Sequence, residues 1–105
     1  MDNRHPIPNG VTPRAEVACT GIVKARGRSD FVPLRKQKAC RVELEIGPMD
    51  VILVAYGETA DRLAAVATAS VVRASGELHI TQWSTGDGRI HQAVAVKVEN
   101  LDVQT

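Results

Sequence analysis

From Cys40 to Ile46 the chain alternates without interruption, with Cys40, Val42, Leu44 and Ile46 on one parity and Arg41, Glu43 and Glu45 on the other. Successive side chains of a β-strand point to opposite faces, so this segment is a strand with one dry face and one wet face. The same period recurs along the chain. Val17, Cys19, Gly21 and Val23 alternate with Ala18, Thr20 and Ile22; the segment from about Ser70 to Trp83 alternates; and Ile90, Val94, Val96 and Val98 oppose His91, Ala93, Ala95, Lys97 and Glu99. Val51 to Tyr56 is a continuous apolar run and reads as a more buried strand. Apolar residues make up 44% of the chain, with one each of Phe, Tyr and Trp. A core dominated by valine and alanine suits closely packed strands and leaves the aromatic rings free for other work.

Punctuation between these segments completes the element order. Gly21 in mid-strand predicts a bend or bulge, and Gly47-Pro48-Met49-Asp50 predicts a turn. Glu58 to Ala69, with acids in its first turn and apolar residues at Leu63, Val66 and Ala67, predicts a short helix. Ser84 to Gly88 predicts a hairpin turn. The order is β-β-β-α-β-β, that of the OB-fold. The expected fold is therefore all-β, a five-stranded Greek-key barrel with one short helix between strands 3 and 4. Residues 1–14, with Pro6, Pro8, Pro13 and Asn9-Gly10, read as a flexible N-terminal tail, and 15–105 as a single OB-fold domain.

A chain of 105 residues has a core large enough to need neither disulfides nor a metal. Cys19 and Cys40 lack metal-ligand spacing and lie on apolar parities, as expected of buried free thiols in a reducing cytoplasm. No apolar run approaches the roughly 20 residues that cross a bilayer, and the N-terminus has no signal-peptide core. A soluble cytoplasmic protein without membrane partners is expected. The formal net charge is only +1, yet Gly21 to Arg41 carries Lys24, Arg26, Arg28, Arg35, Lys36, Lys38 and Arg41 against Asp30 alone, a local charge of +6. Such segregation suits a phosphate-binding surface, and equally a solvated loop.

The tryptophan stands out against this pattern. Counting back from Trp83 by twos gives Thr81, His79, Glu77, Ser75 and Arg73, the polar parity of its strand. The run Val51-Ile52-Leu53-Val54-Ala55-Tyr56-Gly57-Glu58-Thr59-Ala60-Asp61-Arg62-Leu63, joined to Gly76-Glu77-Leu78 with Trp83 and then Gly88-Arg89, resembles the bacterial single-stranded DNA-binding proteins and their primosomal replication protein N relatives. Val17-Ala18-Cys19-Thr20-Gly21 is similar to the family's first strand. The resemblance covers roughly Val17 to Val103 and implies that Tyr56 and Trp83 are base-stacking residues and that the chain forms a homodimer or homotetramer. Two departures qualify it. Met49-Asp50 stands where the family usually has another aromatic, and Asp102-Val103-Gln104-Thr105 stands in place of a long acidic tail that recruits other proteins. The expectation is a compact accessory member, such as a plasmid, phage, mobile-element or primosome protein.

A sequence-tolerant binder of single strands needs flat platforms for bases and a cationic groove for phosphates. The platforms expected here are Trp83 and Tyr56, with Phe31 as a third; Arg26, Arg28, Arg35, Lys36, Lys38 and Arg73 are the expected phosphate contacts. Each aromatic has a plainer reading beside this one: a barrel-edge or interface residue for Trp83, a core residue for Tyr56, a barrel plug for Phe31. The expected function is non-sequence-specific single-stranded DNA binding in replication, recombination or repair, with replication or recombination proteins as further partners. Two alternatives stay open, an OB-type protein-interaction or assembly module and an RNA-binding OB domain. His5, His79 and His91 have no spacing that suggests a metal or nucleophile site, and no serine sits in a nucleophile elbow. No enzyme, metal or cofactor is expected.

Overall fold

A computed structural model describes residues 14–104. The expected tail therefore lies outside the described residues except for Arg14, whose guanidinium donates to Glu99 at 2.6 Å and lies 3.2 Å from Glu16. The elements are β1 (Glu16–Val23), β2 (Ser29–Val32), β3 (Gln37–Ile46), β4 (Met49–Tyr56), α1 (Glu58–Ala64), β5 (Val71–Ser84) and β6 (Ile90–Gln104). They form one sheet in the order β1-β5-β6-β4-β3-β2, and β1 also pairs with β3. All ladders are antiparallel except β4 with β6, which is parallel. The β1–β3 contact closes the sheet into a five-stranded Greek-key barrel, the OB-fold.

Closure depends on Gly21. There β1 runs along β5 on one side while Ile22 and Val23 reach Glu45 and Leu44 of β3 on the other. A Cβ at Gly21 would stand 2.4 Å from the Glu45 carbonyl oxygen, so a side chain at this crossing would hold the two strands apart. The bend expected from sequence is a close approach of two backbones.

The alternating apolar residues point into the barrel as their period requires. Leu44, Leu53, Val23, Val72 and Val96 are fully buried with Cys40, and Leu63 of α1 closes one end of this core. The helix is shorter than the expected Glu58 to Ala69. Its C-cap is Ala65, whose N–H is bonded to the Asp61 carbonyl, and the chain then turns so that Ala69, at a φ of 69°, donates to the Val23 carbonyl. Anchoring to β1 overrides helical continuation there. Arg62 adds a tie from the helix to the Leu101 carbonyl at 2.9 Å.

Two further differences bear on function. The basic connection after β1 is not only a loop, because Ser29–Val32 pairs with Gln37–Cys40 as a short hairpin, a sixth strand outside the barrel. In β6 the register with β5 shifts between Ser75 and Gly76, so that Val98 lies opposite Gly76 but Asn100 opposite Ser75. This bulge switches the inward parity from Val98 to Leu101, both buried,. Beyond Leu78 the β5–β6 hairpin outruns the barrel. Ile80, on the parity that faces the core lower down, is 70% exposed, and Ile90 is 66% exposed. Neither parity is dry at the hairpin tip, so the wet position of Trp83 reflects an element that has left the core.

Candidate nucleic-acid interface

Residues directly opposite one another on neighbouring strands share a face. The ladders place Ala39 beside Tyr56, Arg41 beside Val54, Val54 beside Lys97 and Ile52 beside Ala95. Onward to β5 they place Lys97 beside Glu77, Ala95 beside His79, Ala93 beside Thr81 and His91 beside Trp83. The outer face of this sheet therefore carries Tyr56 at one end and Trp83 at the other. Six residues of strand separate Trp83 from the Glu77–Lys97–Val54 rung, and two strand spacings separate β5 from β4. Tyr56 lies two residues beyond Val54 on the side away from Trp83, so at about 3.3 Å per residue and about 4.8 Å per strand the two aromatic positions stand roughly 25–30 Å apart along the sheet,. Between them the face carries the small side chains Thr81, Ala93, Ala95 and Val54 together with His79.

At the Tyr56 end a groove of about 330 Å³ is lined by Arg35, Tyr56, Glu77, His79 and Lys97 among others. The Arg35 guanidinium lies 4.5 Å from the centre of the Tyr56 ring and the Lys97 ammonium 6.0 Å from it, within the range in which a cation is drawn to an aromatic face. The β2–β3 turn delivers Arg35. The Arg35 N–H donates to the Val32 carbonyl, the Lys36 N–H donates to that of Pro33, and Lys36 takes a φ of 54°. His79 Nε2 lies 3.2 Å from Glu77 Oε1 on the groove wall.

At the other end Trp83 is 45% exposed and stacks on His91, with ring centres 5.5 Å apart and planes 16° apart. One indole face is thus occupied and the pair presents a doubled platform. His91 Nε2 is 3.3 Å from the Thr85 hydroxyl, which donates to the Asp87 carboxylate. Asp87 also accepts the Arg89 N–H at 3.1 Å. The Thr85 hydroxyl, then the Arg89 N–H, hold the Asp87 carboxyl below its ordinary pKa,.

Of the residues expected from sequence, the structure brings Tyr56, Arg35 and Trp83 onto one face. Arg28 is bound to Asp30 at 3.0 Å, and Asp30 lies opposite Ala39, on the Tyr56 side of the hairpin. Lys36 is exposed in the turn. Phe31 and Lys38 are opposite each other on the other face of the hairpin, where Lys38 reaches Asp61 of α1 at 3.4 Å; Phe31 is 63% exposed there. Arg26 is tied to the end of the helix, its N–H to the Thr68 hydroxyl and its Nε to the Ala64 carbonyl. Arg73 shares the parity of Trp83 but lies opposite Thr20 and Asp102, ten residues or roughly 30 Å of strand away,. Lys97 and His91 were not expected from sequence. Pairing the hairpin through its Thr85–Arg89 turn would have found His91, but Lys97 depends on the parallel β4–β6 contact, which no local pattern reveals.

Two other charged grooves hold internal ion pairs. Around the bulge, Arg14 binds Glu99 and Glu16, and Glu99 is held below its ordinary pKa first by the hydrogen bond from Arg14. Beside β3, Lys24 binds Asp50 at 2.8 Å. Cys40 is buried and Cys19 half-buried, both as free thiols that burial pushes up in pKa. Among the described residues no helix is long and apolar enough to cross a membrane.

A closed β-barrel of this topology, with one short helix ahead of its β5–β6 hairpin, is an OB-fold,. Among solved structures, a small single-stranded DNA-binding protein from Streptomyces coelicolor superposes with a TM-score of 0.75 over 89% of this chain and 96% of that one. The two sequences are 11% identical, so the likeness is one of fold. No family model and no curated protein matches the sequence.

Proposed function

We propose that this protein binds single-stranded DNA, laying the strand across the outer sheet face between the β5–β6 hairpin and the β2–β3 turn. The observation that carries this reading is the placement of Tyr56 and Trp83 on one face with Arg35 and Lys97 over the tyrosine ring. Every base has a π-face, so the exposed Trp83 ring and the half-buried Tyr56 ring, once Arg35 swings off it, give sequence-tolerant stacking of about 1–3 kcal/mol per base,. The DNA strand between them crosses Thr81, Ala93 and Ala95 beside His79. Arg28, Lys36 and Arg41 extend the cationic edge along the phosphates, and Phe31 and Lys38 become contacts where the strand turns round the hairpin. The likeness in fold to a small single-stranded DNA-binding protein supports the same reading.

A single-strand binder of this kind serves replication, recombination or repair by binding, without catalysis. Assembly into a homodimer or tetramer would offset the small number of platforms, since linked sites on one strand act at high effective concentration. The protein-module alternative keeps one specific support: the opposite face of the hairpin exposes Ile80 and Ile90 with Gln82 and Gln92 and carries no charge. Titration of Trp83 fluorescence with oligo-dT at low and moderate salt tests the proposal. Quenching that weakens as salt rises supports it. Absence of both quenching and a mobility shift at low salt refutes it and leaves the protein-module reading. Parallel ribo-oligomers decide between DNA and RNA, because 2′-hydroxyl recognition is where the two diverge.

A further inference from the structure

Stacking and phosphate contacts alone have no use for a carboxylate in the groove. A carboxylate repels the backbone that the site attracts. Glu77 is nevertheless placed there, on the same rung as Lys97 and lining the same groove as Tyr56. Directly opposite residues of an antiparallel ladder have Cβ atoms about 5 Å apart, within easy reach for an ion pair. Among the described residues no ion pair joins Glu77 to Lys97. Glu77 Oε1 is 3.2 Å from His79 Nε2, while the Lys97 ammonium lies over the tyrosine. An acceptor group and a donor group thus stand side by side, each free of the other, at the edge of a platform.

With Arg35 swung off the Tyr56 ring towards a phosphate, that arrangement can read the edge of a base stacked on Tyr56. Unpaired bases are recognised on their Watson–Crick edges by such side chains. Guanine alone presents two adjacent donors there, N1–H and the N2 amine, next to an acceptor, O6. Adenine and cytosine each offer one amine beside a ring nitrogen that accepts, and thymine one N–H between two carbonyls. A carboxylate accepts through two oxygens with about four lone-pair sites, so the contact with His79 leaves it room for two further donors. Lysine supplies the matching donor for O6.

We infer that the Tyr56 groove is a guanine-preferring subsite, in which Glu77 accepts from N1–H and the N2 amine while Lys97 donates to O6. This rests on the single-strand binding reading and adds one base preference to an otherwise sequence-tolerant track. Trp83 and His91 present stacking surfaces without an adjacent carboxylate–ammonium pair, so the preference belongs to one end of the track.

The test measures anisotropy of labelled dT12 and of the same oligomer with one central dG, dA, dC or deoxyinosine, using the full-length chain at low salt. A bidentate base contact discriminates by about 1–3 kcal/mol, so the dG oligomer should bind at least about fivefold more tightly than dT12. The dA oligomer, which stacks as well but lacks the paired donors, should resemble dT12. Deoxyinosine, which lacks the N2 amine, should fall between. Glu77→Gln, whose amide offers a single accepting oxygen, should remove the dG preference, read as the ratio of dG to dT12 affinity within that variant. Equal binding of dG and dT12, a preference shared by dA, or a dG preference that survives Glu77→Gln would overturn the inference and leave single-strand binding intact. No binding of any oligomer would overturn both.

Discussion

Gly76 is the position where a single methyl group should do most damage. It sits at the β6 bulge, and a Cβ there would stand 1.9 Å from the Lys97 carbonyl oxygen, 2.9 Å from its carbon and 3.0 Å from the Glu99 nitrogen. Carbon and oxygen normally approach to about 3.3 Å at closest, so the shortfall is about 1.4 Å, and all three obstructing atoms are backbone. Lys97 cannot withdraw freely because it pairs with Glu77 on one side and Val54 on the other. Relief requires breaking about two ladder hydrogen bonds, at about 1 kcal/mol each, with about 1–3 kcal/mol of overpacking strain. Reduced entropy of the unfolded chain returns less than about 1 kcal/mol. Gly76→Ala should therefore destabilise the fold by about 3–4 kcal/mol, a large part of the roughly 5–15 kcal/mol available to a domain, and lower Tm by about 15–25 °C. The control is Gly86→Ala in the hairpin turn, where an added Cβ meets nothing within 4 Å. Urea unfolding of both variants decides the matter. If Gly76→Ala lies within about 1 kcal/mol of Gly86→Ala, the close-approach argument is wrong.

Other outcomes follow from the site and the core. Trp83→Ala should weaken oligo-dT binding by about 1–3 kcal/mol, or roughly 5- to 150-fold, with urea stability nearly unchanged because the ring has left the barrel; a large stability loss would make it a core residue. Arg35→Ala should reduce the slope of log affinity against log salt by roughly 0.7, whereas Arg26→Ala, whose side chain is committed to the helix end, should leave the slope nearly unchanged. Leu63→Ala, at a fully buried position, should cost about 2–5 kcal/mol, against little for Ile80→Ala if that face is free in solution. Glu99 and Asp87 have depressed folded-state pKa values, Glu99 chiefly through its bond from Arg14 and Asp87 chiefly through the Thr85 hydroxyl. Their stabilising contribution is present above the ordinary carboxylate range and lost as pH falls through the folded values, so stability should hold from neutral pH to about pH 5 and decline below it. Glu99→Gln combined with Asp87→Asn should flatten that acid limb, and an unchanged limb would show that other groups control it.

What sequence alone determined was set by local rules. Period-two alternation identifies β1, β3, β5 and β6 because each strand has a core-facing parity, and Gly47-Pro48 and the segment from Ser84 to Gly88 mark turns by their backbone demands. Trp83 is legible as a candidate because it lies on a polar parity, and Tyr56 because the end of its strand resembles that of the single-stranded DNA-binding proteins. The short β2 was hidden in a basic segment that has no alternation, since an exposed hairpin edge has no dry face to impose one. The helix end was missed because Ala65 to Ala69 is compatible with helix locally and is diverted by a hydrogen bond to β1, 46 positions away in sequence.

Only the tertiary structure decided which residues share the candidate face. The parallel β4–β6 ladder sets Lys97 beside Val54, and the β2–β3 turn sets Arg35 over Tyr56, while Phe31 and Lys38 go to the opposite face and Arg26 to the helix. Alternation reports whether a side chain faces the core. It carries no information about which strand lies alongside, because that choice is made by barrel closure at Gly21 and by the bulge at Gly76, where long-range backbone contacts select one register from several with the same pattern.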